Sequence, residues 1–356
     1  MSIRQISDFL ESIAPPTYQE SYDNTGLLVG SPDTVCNGVL VCLDAIESAI
    51  DEAIAKQCNL VVAHHPIIFG GLKKLNGKNY IERTILKAIK NDIAIYAIHT
   101  NLDNVRTGVN RKICEKLALQ NCRVLQQRPR TLKKMSVLCP LEHADRLRET
   151  LINVAEGWQN DHISIAFSTI GVSTIDNGKL KEKSTLAELR LDIVFATHLE
   201  RAMINAMLKI HPKNNPTYEI STLDNSSDQI GSGMIGVLPK PMPSLDFLQH
   251  LKKAMQADCL KYTATIGDTV QRIALCGGTG IALLPDAIRQ KADVFITADV
   301  KYHQFFDADQ QITIADIGHY ETEHFTTELL VDIISKKFPN FAVHAAQQKT
   351  NPVLYL

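Results

Sequence analysis

Three stretches of this chain end apolar runs with side chains able to ligate a cation. His64 and His65 close the run NLVVA and precede Pro66. Neighbouring strand side chains point to opposite faces, so both imidazoles reach one site only if the backbone leaves regular strand geometry there. Pro66 favours that by ending the ladder and keeping His65 extended. The plainer reading puts one histidine over the sheet end and the other in solvent. His99-Thr-Asn-Leu-Asp103 follows the run IAIYAI, and a carboxylate just past a strand can turn toward the same crevice. Asn and Asp at such positions are also common turn formers. His319-Tyr-Glu-Thr-Glu323 follows ITIADI and Gly318. Four apart at the opening of a helix, His319 and Glu323 share a face; the competing reading is an acidic first turn favoured by the helix dipole.

Convergence separates these readings. All three stretches fall at strand ends of one predicted sheet, where open α/β sheets place their ligands. Three imidazoles and two carboxylates exceed what a closed tetrahedral site uses, and suit two divalent cations bridged by a carboxylate and a water. The donor set excludes a soft thiolate metal and admits Zn, Mn, Fe, Co or Mg. Such a pair acidifies water and polarises the bond it attacks, which points to a metal-dependent hydrolase.

Other residues near the same ends have two readings each. His99 is placed to orient a ligand. His303, after DVFITAD, is placed to donate a proton near the metals, or is a surface or packing histidine. Gly277-Gly278-Thr279-Gly280, between a strand and a helix, is either an anion cradle or a tight turn. Its spacing matches neither the Rossmann nor the P-loop fingerprint.

The elements that must position these residues alternate short apolar runs with helix-period segments, the mark of an α/β fold. Strands are predicted over 38–44, 59–63, 93–99, 272–276, 294–297 and 312–317. Helices are predicted over 45–57, 80–91, 282–291 and 321–336. Val and Ile on both faces of the strands predict a largely parallel, buried sheet. The middle differs. KKMSVLCPLEHADRLRETL and ELRLDIVFATHLERAMINAML repeat a strand-helix unit at an offset of 55 residues, flanking a polar stretch from Ser168 to Leu186. Two such units predict a small ferredoxin-like α+β insertion. Pro239-Lys-Pro-Met-Pro243 reads as its exit linker. The resulting domains are 1–130 (core), 131–238 (insertion) and 239–356 (core, completing the site). Trp158, the one tryptophan, falls in the insertion and reads as core packing.

Composition narrows the classes. A net charge of −2 and the lack of a Lys/Arg stripe leave no nucleic-acid footprint. The eight cysteines include no C-x-x-C pair, which fits a reducing compartment rather than a disulfide framework. Neither a signal peptide nor a membrane span is predicted, so the expected location is cytoplasmic.

Taken together, the segments YDNTGLLVG (22–30), AHHPIIF (63–69), HTNLD (99–103), ALCGGTG (274–280), DVFITADVKYHQFFDA (293–308) and DIGHYETE (316–323) resemble the Nif-three-like family, whose members carry the label GTP cyclohydrolase 1 type 2 homologue. The resemblance covers nearly the whole chain. It implies a dinuclear metal centre with His64, His65, Asp103, His319 and Glu323 as ligands, Glu323 bridging. It also implies a middle domain similar to the PII and CutA type and a toroidal homohexamer. The substrate it suggests is GTP or another nucleotide-like small molecule. A phosphoesterase fits the same donors, and a metal store, delivery factor or regulatory scaffold fits the middle domain. The segment HPKNNPTYEI (211–220) departs from the HPYEEPAYDI-like form usual there, and His211 is given no role.

Overall fold

The computed structural model of the chain describes residues 1–156, 166–175 and 184–356. Trp158 and residues 176–183 of the polar stretch lie outside them. The chain divides into two compact units, Met1–Gln127 with Asp228–Leu356, and Arg128–Ser227.

Strands are numbered in chain order. They are β1 (Gly26–Val29), β2 (Val39–Asp44), β3 (Leu60–His65), β4 (Ala94–Ala97) and β5 (Gln120–Gln127). Next come β6 (Leu132–Pro140), β7 (Ala166–Ile175), β8 (Ser184–Ala196), β9 (Tyr218–Thr222) and β10 (Gly231–Pro243). The last are β11 (Lys261–Tyr262), β12 (Thr269–Leu275), β13 (Val294–Thr297), β14 (Thr313–Asp316) and β15 (Val343–Ala345).

The first unit holds two mixed sheets where one was expected. The five-stranded sheet runs β1-β4-β3-β2-β15, and the six-stranded sheet runs β11-β14-β13-β12-β10-β5. Each contains a run of parallel strands, β4-β3-β2-β15 in one and β12-β13-β14 in the other. The helices Glu47–Ala55 and Tyr80–Lys90 connect β2 to β3 and β3 to β4. Leu284–Arg289 and the 3-10 helix Tyr302–Ala308 connect β12 to β13 and β13 to β14. Parallel neighbours need such crossovers, because a two-residue hairpin only joins antiparallel strands. A pattern of apolar strands and crossovers is the same for one sheet or two, which is why periodicity predicted a single sheet.

Each sheet has its own core. Leu40, Val61 and Ile95 pack with Ala49, Ile50, Ile85 and Ala88 in the first. Ile235, Ala274, Phe295 and Ile314 pack with Leu284 and Ala287 in the second. Full burial of each Ile, Leu, Val or Phe favours folding by about 1.5–3 kcal/mol.

The proline stretch is not a linker. Residues 239–243 end β10, with Met242 and Pro243 paired to Val270 and Thr269 after a register shift. Pairing of β10 with β5 stops at Val237 and Gln120. The prolines therefore lie where one side of the strand has no ladder to donate to, the position in which a sheet tolerates them.

The second unit is a four-stranded antiparallel sheet in the order β7-β8-β6-β9, with helices Ala144–Glu156 and Glu200–Ile210. Met135, Val137, Leu191 and Ile193 of the sheet pack with Leu147, Leu151, Met203 and Met207 of the helices.

Candidate metal centre

Six parallel strands of the first unit bring chemistry to their carboxyl ends. From the five-stranded sheet, β2 ends on Asp44, β3 on His64 and His65, and β4 leads to His99 and Asp103. From the six-stranded sheet, β12 leads to Gly278, β13 to Asp299, and β14 to His319 and Glu323. Asp103 lies on the short helix Thr100–Asp103. His319 and Glu323 open and close the helix His319–Glu323, which is separate from the following helix Thr326–Lys337.

The five expected donors come together around one carboxylate. Glu323 Oε2 lies 2.8 Å from His65 Nε2, 3.0 Å from His319 Nε2 and 4.0 Å from His64 Nε2. Asp103 Oδ1 is 3.7 Å from His64 Nε2. Regular strand geometry persists through His65, which stays in register with Asp44. Both histidines nonetheless approach the same oxygen, so Glu323 lies off the strand's end rather than over one face, and both side chains lean along the strand toward it.

Outer groups fix each imidazole. His64 Nδ1 donates to the Ile98 carbonyl at 2.8 Å, which leaves Nε2 as the nitrogen with the free lone pair. Burial pushes its pKa down to about 3, so it stays neutral. His65 Nδ1 meets Asp44 Oδ1 at 2.7 Å, and Thr350 donates its hydroxyl to the other oxygen of Asp44. His319 Nδ1 meets Asp299 Oδ2 at 2.7 Å. Histidines that hold metals commonly pass their second nitrogen to a carboxylate or carbonyl in this way. Burial opposes the charge of His65, but hydrogen bonds to Asp44 and Glu323 outweigh it and lift the pKa to about 10. Burial likewise opposes the charge of His319, and Glu323 and Asp299 lift it to about 9. Burial also disfavours ionised Glu323, yet His319 and His65 hold it well below the usual carboxylate range. Burial, then the charge of Glu323, pushes Asp103 well above that range.

Two observations test whether a cation fits. Among the described residues, His64 Nε2 and Asp103 Oδ1 are buried with no hydrogen-bond partner, an arrangement costly to leave unmade. Second, donors about 2.1 Å from one cation stand about 3.0 Å apart at a right angle and about 3.4 Å apart at a tetrahedral one. The separations at Glu323 fall near the first value. Three overlapping sets have ligating atoms within 4.8 Å of one another: His65, His319 and Glu323; His64, Asp103 and Glu323; and His64, His65 and His99. The residues fit divalent cations.

The glycine loop has a steric reason. A Cβ on Gly278 would lie 2.4 Å from Glu323 Oε1, and its φ of +59° is in the left-handed region. Its amide donates to Thr322 Oγ1 at 2.9 Å. His99 Nδ1 bonds Asp23 Oδ1 at 2.8 Å. His303 is exposed on the 3-10 helix Tyr302–Ala308 against the Tyr302 and Phe306 rings, outside the residues that line the cleft. Asp23, Asp44 and Asp299 were missed in the sequence. Asp44 and Asp299 carry the same signal as Asp103, an acid at or just past an apolar strand.

His65, His319, Glu323, His99 and Asp103 line a cleft of about 1320 Å³. A second cavity of about 550 Å³, reaching Asn351 and Tyr355 of the C-terminal tail, borders Asp44, His65 and His319.

Comparison with known proteins places this arrangement. The family model described as Duf34/NIF3 (NGG1p interacting factor 3) matches residues 1–352. A Bacillus subtilis protein named GTP cyclohydrolase 1 type 2 homolog is 33% identical, over 99% of this chain and 98% of its own length. The crystal structure of a Bacillus cereus protein related to NIF3 superposes with a TM-score of 0.86 at 31% identity, covering 100% of this chain and 99% of the other. A Staphylococcus aureus structure gives 0.80 at 27%, with the same coverage. With a family match spanning the sheets and every donor around Glu323, the chain belongs to the Duf34/NIF3 family.

Proposed function

We propose that this protein is a two-metal hydrolase of a nucleotide-like small molecule, with His64, His65, Asp103, His319 and Glu323 as the metal ligands. One observation carries the reading: the imidazoles of His64, His65 and His319 converge on Glu323 Oε2, with His64 Nε2 and the adjoining Asp103 Oδ1 buried and unpartnered, at the wall of a cleft large enough for such a substrate. In this reading His65, His319 and Glu323 would hold one cation, and His64, Asp103 and Glu323 the other. Bound divalent cations supply Lewis acidity and lower the pKa of water at the site. Asp44, Asp299 and the Ile98 carbonyl keep the imidazoles aimed. His99, aligned by Asp23 and with a ring nitrogen within 4.8 Å of those of His64 and His65, is the residue placed to move a proton. His303 has no part in this reading, because it lies outside the cleft.

The name of the Bacillus subtilis relative supports purine-ring hydrolysis of GTP, and the same donors suit a phosphoester. The test incubates protein reconstituted with Mn, Zn, Fe, Co or Mg with a panel of nucleotides and phosphoesters. Metal-dependent turnover lost in Glu323→Ala supports the reading. Tight binding of about two cations without turnover identifies a metal-binding or regulatory protein instead. The same proposal includes a ferredoxin-like, PII/CutA-like insertion, for which the order strand-helix-strand-strand-helix-strand from β6 to β9 speaks. It also includes a cytoplasmic homohexamer, for which light scattering should return six times the chain mass.

A further inference from the structure

The walls of the large cleft say more about the ligand than the metal ligands do. Among the described residues that line it, none is lysine or arginine. Apart from the histidines of the donor cluster, its charged side chains are carboxylates: Glu20, Asp44, Glu47, Asp103 and Glu323. Arg83 pairs with Glu47 Oε2 at 2.9 Å and is not part of the lining. Sites for polyphosphates instead meet the phosphates with Lys, Arg or free backbone amides besides any bound cation.

In the loop that could have supplied amides, three of the four are already used. The amides of Gly277, Gly278 and Gly280 donate at 2.9 Å to Asn110 Oδ1, Thr322 Oγ1 and Thr297 Oγ1. The Thr279 hydroxyl donates to Asp299. These bonds brace the stretch as a tight turn.

What the cleft offers instead is aromatic and aliphatic surface. Phe69, Tyr22, Tyr80 and Leu72 line it with 55%, 67%, 53% and 38% of their surfaces exposed. Exposed apolar side chains gathered in a concave site, with polar groups on one wall, mark a ligand pocket. The Phe69 ring stands edge-on to His99, with centroids 5.7 Å apart. An aromatic platform is thus next to the donor cluster, within the span of one small molecule.

Resting on the two-metal reading above, we infer that the ligand is an aromatic heterocycle of nucleobase or nucleoside size, carrying at most one anionic group. Its polar edge faces the metal ligands and its flat body packs on Phe69. A triphosphate puts its remaining charges against Glu20 and Glu47 with no cation on this wall to meet them, so GTP is the poorer ligand.

The experiment is equilibrium dialysis of the full-length protein, loaded with Mn²⁺ at fixed free metal, against guanosine, GMP and GTP. Guanosine is expected to bind at least about tenfold more tightly than GTP, with GMP no weaker than GTP. Phe69→Ala should weaken guanosine by about tenfold while metal content stays the same. Glu47→Gln, which removes a carboxylate and releases Arg83, should strengthen GTP severalfold and leave guanosine unchanged. GTP binding more tightly than guanosine overturns the inference, as do undetectable guanosine binding and an unaffected Phe69→Ala. Because the readout is binding, absent turnover defeats the hydrolase reading alone. Absent metal defeats the site itself and is seen by metal analysis before any ligand is added.

Discussion

His64 and His65 are consecutive, yet they belong to halves of the donor cluster with opposite electrostatics. Around His65, buried charges are kept and paired: two imidazoles lie against Glu323, backed by Asp44 and Asp299. Around His64, charge is given up. Burial holds its imidazole neutral and disfavours the charged form of the Asp103 carboxyl, and one polar atom of each has no partner. A buried ionisable group has these two options, to find a counter-charge or to neutralise. Here one glutamate stands between a region that takes the first and a region that takes the second. The lesson is that the two halves should respond differently to substitution, to pH and to metal.

The sharpest way to break the comparison is to remove the shared carboxylate. In metal-free protein at neutral pH, Glu323→Gln removes the carboxylate that His65 and His319 share, leaving them Asp44 and Asp299 alone, and should destabilise the fold by about 3 kcal/mol. Asp103→Asn replaces a carboxyl whose charge burial already disfavours and should cost within about 1 kcal/mol. Denaturant melts of chelator-treated protein measure both; equal losses would show that the halves are not electrostatically distinct. In metal analysis, Glu323→Gln should lose both cations, whereas Asp103→Asn and His319→Ala should each lose one.

Protons give the next largest contrast. His65 and His319 have folded pKa values of about 10 and about 9, above the ordinary histidine value near 6.5. Groups raised in this way stabilise the metal-free fold fully below about pH 6.5, and that contribution is lost as pH climbs through 9 and then 10. A cation entering this half must displace those protons, so its affinity should rise about tenfold per pH unit for each proton displaced. His64 carries no such proton. Competition with a chelating dye at pH 7 and pH 8 should therefore give a weaker pH dependence in His319→Ala than in the parent. Parallel profiles would place the displaced protons elsewhere.

Gly278→Ala probes the same carboxylate sterically. A Cβ 2.4 Å from Glu323 Oε1, on a left-handed backbone, must push the carboxylate or the loop aside. Metal affinity should fall by about tenfold with the fold retained, since shifts of ligands and their supporting groups have costs of that order. A full-affinity variant would mean that the loop yields instead.

How much of this was legible in sequence follows from where the signals lay. The five donors each close or follow an apolar run, so the strand pattern exposed them one at a time, and β13 was bounded to the residue. What could not be read was adjacency. Asp23, Asp44 and Asp299 act on histidines 76, 21 and 20 positions away, and periodicity carries no such distances. The split into two sheets was hidden because parallel triplets with crossovers look alike in either sheet. The proline stretch misled because its strand role depends on where β5 stops pairing, a fact about a neighbour. The amides of Gly277, Gly278 and Gly280 were likewise undecidable until Asn110, Thr322 and Thr297 were seen to occupy them.

The smallest expected effect lies farthest from the carboxylate. Thr350, in the C-terminal tail, donates to Asp44, which in turn aligns His65. Together with His65, the Thr350 bond lowers the pKa of Asp44 against the opposing effect of burial. Thr350→Val keeps the shape of the side chain and removes the donor. Asp44 is partly exposed, so water can take up the bond and stability should fall by no more than about 1 kcal/mol. Metal affinity should fall by about threefold, because His65 keeps its partner but that partner is less firmly held. The NMR titration of the His65 ring in metal-free protein should also move to lower pH, and Thr350→Ser should restore both. A general packing defect would lower stability without moving that titration. An effect confined to the His65 half, with no change in the cation held by His64 and Asp103, would show that the two halves are tuned independently despite their common glutamate.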